Sequence, residues 1–195
     1  MNLYNVALFF HVLGAIGYSA GVIITLLGLV ALRRARRVEQ VRTLVGLIGL
    51  SDPVAVVSAL LILSAGLYMT ITVWGWQMGW INVALVTIVL IATLGVAVIE
   101  KRRKAIARLA QDASDGSLAA SLDEHIHDPV LGTALYTLTA LLVGVIFLMT
   151  NKPALDGAIV VIVVAGAVGL ASSLPLWRGR RAVSVQEERQ PSARD

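Results

Sequence analysis

The chain has 195 residues, of which 57% are hydrophobic and only 14% are charged, and its formal net charge is +4. A soluble globular domain carries about 25% charged residues, so this composition excludes a water-soluble fold. The basic residues lie beside the ends of long apolar stretches, where they orient helices and meet anionic headgroups, so nucleic-acid binding is not indicated. Cysteine is absent, which excludes disulfides and thiolate metal sites.

Residues 4–32 form the first predicted membrane span. Residues 3–32 include no Asp, Glu, Lys or Arg, and about 18 apolar residues are enough to cross a bilayer. The run is far longer than the hydrophobic part of a signal peptide and an arginine cluster follows it. We therefore expect a retained helix.

His11 is the one ionisable side chain, apart from tyrosines, well inside an apolar span. Such groups are costly in a membrane, which leaves two interpretations open: a hydrogen bond to a neighbouring helix, or a cofactor ligand. Gly14, Gly17 and Gly21 follow it in the same helix. They predict a small-residue face on which another helix packs closely, or else room for a flat macrocycle.

A cofactor at His11 would need further ligands, and two methionines are candidates. Met69 and Met149 fall near the outer ends of their spans, at roughly the depth of His11. Haem iron takes a His ligand, often paired with His or Met, and His with Met also suits a soft copper ion. Ordinary packing is the alternative for both methionines, and the leading expectation is that no cofactor is bound.

The uncharged stretch 53–99 is too long for one helix. Three tryptophans and two glycines interrupt it between Trp74 and Trp80, and tryptophans concentrate at membrane interfaces. This segment predicts an external turn between spans at 53–73 and 80–99. Before it, residues 38–50 carry apolar side chains at helical spacing, which fits either an interfacial helix or an extension of the second span.

The third span ends in a charged segment. We expect Glu100 to pair with Lys104 one turn later, and the helix to continue through 105–113. His125 and His127 follow in a polar segment. Because residues two apart point to different helix faces, a solvated loop is expected there rather than a metal site.

The last two spans are predicted at 129–150 and 157–177. The sequence Asp-Pro-Val begins both the second and the fourth span, which predicts Asp52 and Asp128 as helix N-caps. A second interpretation is an internal duplication, a parallel repeat of a two-helix hairpin of the kind that transporters use.

Basic residues concentrate in the first and third loops and after the last span. Cytoplasmic loops carry such an excess, so the amino terminus is predicted outside and the carboxyl terminus inside. We expect one transmembrane domain over residues 1–181. Residues 182–195 are polar without apolar periodicity, which predicts a disordered cytoplasmic tail.

The segment FHVLGAIG, residues 10–17, resembles the opening helix of an uncharacterised family of bacterial predicted integral membrane proteins. FLMTNKP at 147–153 is similar to that family's late Met…Lys-Pro turn, and Asp-Pro at 52–53 followed by Gly-Leu-Tyr at 66–68 fits its second span. The chain is also distantly similar to the copper-resistance D membrane proteins, which share a His-containing first helix followed by small residues. The resemblance implies a bacterial inner-membrane protein and a soft-metal role for His11.

Together these observations predict an all-α protein of five transmembrane helices whose biochemical activity is undetermined. The leading hypothesis is a non-enzymatic bundle that contacts the lipid bilayer and packs with itself, as a homo-oligomer, or with a membrane-complex partner. One alternative is a haem- or copper-binding redox or metal-handling protein that uses His11. Another is a small transporter built on the repeated hairpin.

Overall fold

A computed structural model describes residues 2–177 of the chain, and the predicted disordered tail, 182–195, lies outside the described residues. In this part the fold is entirely helical, apart from one isolated bridge between Arg37 and Ser117. The α-helices are α1 (Leu3–Leu32), α2 (Val38–Gly49), α3 (Asp52–Met69), α4 (Gly79–Leu94), α5 (Lys101–Asp112), α6 (Ala120–Ile126), α7 (Pro129–Asn151) and α8 (Leu155–Ser172). Two π-helical segments, Thr70–Trp74 and Gly95–Glu100, extend α3 and α4.

Within residues 2–177, five stretches of helix are long and apolar enough to cross a membrane. This number agrees with the prediction from the uncharged runs. Some of the helices continue past the predicted borders. The backbone hydrogen bonds of a helix are made within the helix itself, so it can extend beyond its apolar part into water. The five stretches are Leu3–Leu32, Val38–Trp74, Gly79–Asp112, Ala120–Asn151 and Leu155–Trp177.

The second stretch has an interruption near its start. Leu50 and Ser51, which separate α2 from α3, keep right-handed helical dihedral angles. Pro53 has no N–H to donate to the Gly49 carbonyl, and its ring crowds that oxygen, so the helical ladder breaks here. Residues 38–49 therefore form a helix of their own that leads directly into α3. Val38 and other apolar residues of α2 are buried against the protein.

Two short turns lie at one end of the bundle. The first spans residues 75–78, as predicted, and begins at Gly75, whose φ of 77° suits a residue without Cβ. The second follows α7 at Lys152, which adopts the left-handed conformation and returns its N–H to the Leu148 carbonyl at 2.9 Å. The Lys152 ammonium lies 4.4 Å from the centre of the Trp74 ring, so the two turns touch.

Gly14, Gly17 and Gly21 of the first span lie against α3. A Cβ at Gly14 would stand 2.8 Å from the backbone oxygen of Ser58, and one at Gly17 would collide with the Ser58 side chain. At Gly21 a Cβ would stand 3.5 Å from the Ala55 methyl group, which is ordinary contact. The small residues thus let α1 and α3 approach more closely than larger side chains would allow.

The remaining spans form a second group, in which α7 packs along α8 and also against α4. The fully buried side chains Leu135 and Leu148 lie on α7, the most enclosed of the spans. By contrast, α3 packs chiefly on α1 rather than on α4. A gap is left between α3 and α4, and the candidate site lies there.

The two Asp-Pro helix starts differ in detail. Asp128 is the N-cap of α7, and its carboxylate accepts the Val130 N–H at 2.9 Å. The prediction of the same role for Asp52 does not match the structure, where Ser51 holds the N-cap position and Asp52 is the first helical residue. The physical reason is a competing partner, since the Asp52 carboxylate accepts a hydrogen bond from Arg103 at 2.5 Å.

Candidate functional site

The imidazole of His11 joins the first two spans. Its Nδ1 lies 3.0 Å from the backbone oxygen of Ile62 on α3. A carbonyl oxygen can only accept, so Nδ1 is the nitrogen that carries the hydrogen in this contact. In the neutral ring the lone pair is then on Nε2, which is the atom available to any further partner.

Gly66 makes room for that ring. A Cβ at this position would stand 3.2 Å from both Nδ1 and Cε1 of His11. Any larger residue would therefore push against the imidazole and lengthen its bond to Ile62. The sequence analysis placed Gly66 only in a family resemblance, and its spacing from His11 gives no signal of this contact.

His11 lines a small apolar cavity of about 60 Å³ between α1, α3 and α4. Met69 and Met149, the two methionines proposed as partners from the sequence, line the same cavity. Met69 is buried and Met149 is half-buried. Three side chains that can bind a metal ion, each from a different helix, therefore line the same cavity. The other lining residues are Ile62, Leu63, Gly66, Leu67, Thr70, Trp74, Trp80, Ile81, Ala84, Leu85 and Ile88.

Aromatic side chains close the cavity at the end with the two short turns. The rings of Trp74 and Trp80 meet edge to face, with 5.7 Å between centroids. Lys152 adds a cation–π contact with the Trp74 ring of this pair. From the sequence these tryptophans were expected only to mark the membrane interface, and their position as a wall of the cavity was not predicted.

The size of the cavity separates the two proposed cofactors. An apolar cavity of roughly 150 Å³ holds a benzene molecule, so about 60 Å³ is far too small for a porphyrin. Haem therefore does not fit the residues present. A single ion is compatible with the volume, and one imidazole nitrogen with two thioether sulfurs is a donor set of the kind that soft Cu(I) accepts.

Elsewhere in the described part of the chain, no group of three or more His, Cys, Asp or Glu residues could hold a metal ion. The His125 Nδ1 bonds to the Ser121 carbonyl oxygen at 2.8 Å. The His127 Nδ1 lies 3.3 Å from a carboxylate oxygen of Asp123. The two histidines thus have separate partners. The expectation of a solvated loop in this segment is wrong for most of it, because residues up to Ile126 form the helix α6.

Ion pairs tie the helices together at the opposite end of the bundle. Arg103, whose side chain is only 13% exposed, donates to Asp52 and to Glu100, each at 2.5 Å. Lys104 pairs with Glu100 at 3.1 Å, as predicted. Arg102 donates to Asp128 at 2.6 Å, so the start of α7 is bound to α5 in the same way as the start of α3.

A further arginine of this end is partly buried. The Arg33 guanidinium lies against α7, where a Cβ at Gly132 would stand 2.7 Å from its Nη2. Burial lowers the pKa of Arg33, while the nearby Tyr136 hydroxyl and Asp128 carboxylate act in the opposite direction. Among the described residues, its Nε and Nη2 atoms are enclosed without a hydrogen-bond partner.

Comparison with known proteins adds no relative: no family model, curated protein or solved structure matches the chain.

Proposed function

We propose that this protein is a non-enzymatic component of the bacterial inner membrane, a bundle of five spans that associates with a second copy or with another membrane protein. The observation that carries the proposal is the exposed apolar fifth span, of which only 11% of the most apolar window is buried inside the protein. The hydrogen bond from His11 to Ile62 supports an architectural role for this rare membrane-embedded polar group, because it holds two helices together. Thr87 and Thr139 likewise donate to carbonyls one turn back in their own helices. These polar contacts serve the architecture.

The proposed orientation follows from the two unlike ends of the bundle. One end carries the ion pairs of Arg42, Arg102 and Arg103. The other carries the turns that meet at Trp74 and Lys152. Because basic residues are retained on the cytoplasmic side, the arginine-rich end is proposed to face the cytoplasm.

The fifth span is the proposed surface for association. Only 11% of its most apolar window is buried inside the protein, against 44% for the fourth span, so it lies at the edge of the bundle. Its outward face carries β-branched side chains such as Val160 and Val164, which are 60% and 54% exposed. Such a face contacts lipid in a monomer and packs against a partner in a complex.

Cysteine crosslinking tests this proposal, because the chain has no cysteine of its own. Val164→Cys on the outward face is treated with a bis-maleimide in native membranes, with Ala158→Cys, which is fully buried, as the matched control. We expect an adduct of Val164→Cys at the mass of a dimer or of a heteromeric complex, and none for the control. A monomer at Val164→Cys and at further outward sites on every span would contradict association.

A second candidate function is soft-metal binding, favoured by the common cavity of His11, Met69 and Met149. The bond from His11 Nδ1 to a backbone carbonyl is the arrangement that fixes a ligating imidazole and leaves Nε2 for the ion. In this function the protein binds or passes on Cu(I) at the outer half of the membrane.

Titration of the purified, tag-free protein with Ag(I), a redox-inert substitute for Cu(I), tests this candidate. We expect one equivalent to bind and to change the fluorescence of Trp74 and Trp80. Binding should weaken at least tenfold in Met69→Leu, while Met78→Leu, which alters a methionine outside the cavity, leaves it unchanged. Absence of saturable binding, or equal binding by both variants, would remove the metal hypothesis.

A further inference from the structure

A second depression, separate from the His11 cavity, lies between the last turns of α1 and the first half of α2. It is wide open to the surroundings and has a volume of about 600 Å³, within the range of roughly 300–1,000 Å³ that small-molecule sites occupy. We refer to it as the inner groove. It is lined by Leu27, Val30, Ala31, Arg34, Ala35, Gln40, Thr43 and Leu44.

The lining of the inner groove changes character along α1. Leu27, Val30 and Ala31 form an aliphatic wall, and Leu27 and Val30 are 63% and 37% exposed. Arg34 lies one turn further, just after the end of α1, and Gln40 lines the groove from the first turn of α2. An open apolar surface that ends in a cationic and an amide group matches the polarity of a lipid molecule, with its apolar chains and its charged headgroup.

Among the described residues, no carboxylate forms a salt bridge with the cation of the groove. Arg42 is engaged with Asp115 and with the carbonyls of Ala110 and Ala113. Arg33 is turned toward Gly132 on α7. Arg34, which lines the groove and is exposed, makes no salt bridge within the part of the chain that the structure describes.

Gln40 adds a donor beside this cation. Its amide oxygen already accepts the backbone N–H of Arg36 at 2.9 Å. The amide NH₂ group is then the part of the side chain that is suited to an anionic partner, because it can only donate. Thr43, by comparison, already donates its hydroxyl hydrogen to the Glu39 carbonyl.

We propose that the inner groove binds one anionic phospholipid of the surrounding bilayer. The phosphate accepts hydrogen bonds from the Arg34 guanidinium and the Gln40 amide, and one acyl chain lies along Leu27 and Val30. The site is at the arginine-rich end of the first span, where basic residues meet anionic headgroups. This assignment is independent of whether the protein has a partner or binds a metal.

Native mass spectrometry of the full-length protein, released from nanodiscs of equal parts phosphatidylglycerol and phosphatidylcholine, tests the proposal. We expect one retained lipid, with phosphatidylglycerol favoured. Arg34→Gln should lower this preference about fivefold, the order of magnitude for one basic residue near an anionic surface. Arg37→Gln removes an exposed arginine from the same loop outside the groove and should leave the preference unchanged.

Two further arms identify the occupant. Ala31→Phe fills the aliphatic wall and should reduce retention of both lipids, while Arg34→Lys should restore at least half of the preference lost in Arg34→Gln. Millimolar inorganic phosphate should not displace the lipid. Equal preference in Arg34→Gln and Arg37→Gln, or displacement by phosphate alone, would overturn the assignment of a phospholipid.

Discussion

His11 is the position where an architectural role can be separated most cleanly from a ligand role. The structural contact uses Nδ1, 3.0 Å from the Ile62 carbonyl oxygen, whereas a metal would use Nε2. The amide nitrogen of asparagine occupies nearly the place of Nδ1 and can donate in the same direction, but nothing in asparagine replaces Nε2. His11→Asn therefore retains the helix contact and removes the ligand, while His11→Leu removes both.

The size of the effect follows from the bond that is lost. Hydrogen bonds between membrane helices contribute about 0.6 kcal/mol on average and up to about 1.7 kcal/mol. The Ile62 oxygen remains inside a helix, so its loss of His11 leaves no wholly unpaired acceptor. We expect His11→Leu to destabilise the protein by about 1 kcal/mol, and His11→Asn to recover at least half of that loss.

Reversible unfolding in mixed micelles, followed by tryptophan fluorescence, measures these differences. The same experiment includes Gly66→Ala, whose new methyl group would lie 3.2 Å from the imidazole. This clash needs a side chain that reaches beyond Cβ at position 11, and leucine still places a methyl carbon near the position of Nδ1. Gly66→Ala should therefore cost less in a His11→Ala background than in the wild type, with a coupling energy of about 0.5–1.5 kcal/mol. Equal stability of His11→Leu and wild type, together with zero coupling, would refute the reasoning.

Two further predictions concern helix packing and ion pairing. Gly14→Ala should destabilise the bundle by about 1–3 kcal/mol because the new Cβ meets a backbone oxygen. Gly21→Ala is the control, since a Cβ is accommodated there, and it should change stability by less than about 0.5 kcal/mol in the same unfolding assay. Arg103→Leu should cost about 1–3 kcal/mol because two carboxylates lose a charged donor. Lys104→Leu, which removes a lysine with a 65% exposed side chain, should cost less than about 0.5 kcal/mol. A smaller loss of stability for Arg103→Leu than for Lys104→Leu would contradict the assignment of Arg103 as the stronger partner of these carboxylates.

The sequence predicts the spans well because the bilayer imposes a strong and local requirement. A run such as 3–32 without charge has few alternatives to a membrane helix, and the turn at 75–78 is marked by Gly75 and by the tryptophans within and around it. The glycines of the first span similarly predicted close packing, since small residues have that effect wherever they line a helix face. These features depend on neighbouring residues along the chain.

The contacts between distant residues could not be predicted in this way. The partner of His11 is a backbone carbonyl 51 positions away. Because every residue has a backbone carbonyl, the sequence contains no signal that identifies this partner. Asp52 was expected to cap its helix because Asp-Pro usually does so. Arg103, equally distant in sequence, offers a charged donor that draws the carboxylate away.

The candidate site could be predicted from the sequence only in part. The chemistry of His11, Met69 and Met149 is visible in the sequence, and the depth of each span suggested that they lie at one level. That they surround a common cavity depends on how α3 separates from α4, a property of the whole bundle. The cavity volume, which excludes haem, also follows only from the packed structure.

A bundle of five spans with its arginine-rich end in the cytoplasm exposes its two ends to different compartments, and cysteine accessibility in intact cells distinguishes them. Gln77→Cys lies exposed in the turn that includes Trp76, and Ser114→Cys lies exposed after α5. A membrane-impermeant maleimide should label Gln77→Cys in intact cells, and should label Ser114→Cys only after the membrane is permeabilised. Labelling of Ser114→Cys in intact cells, with Gln77→Cys protected, would contradict the account.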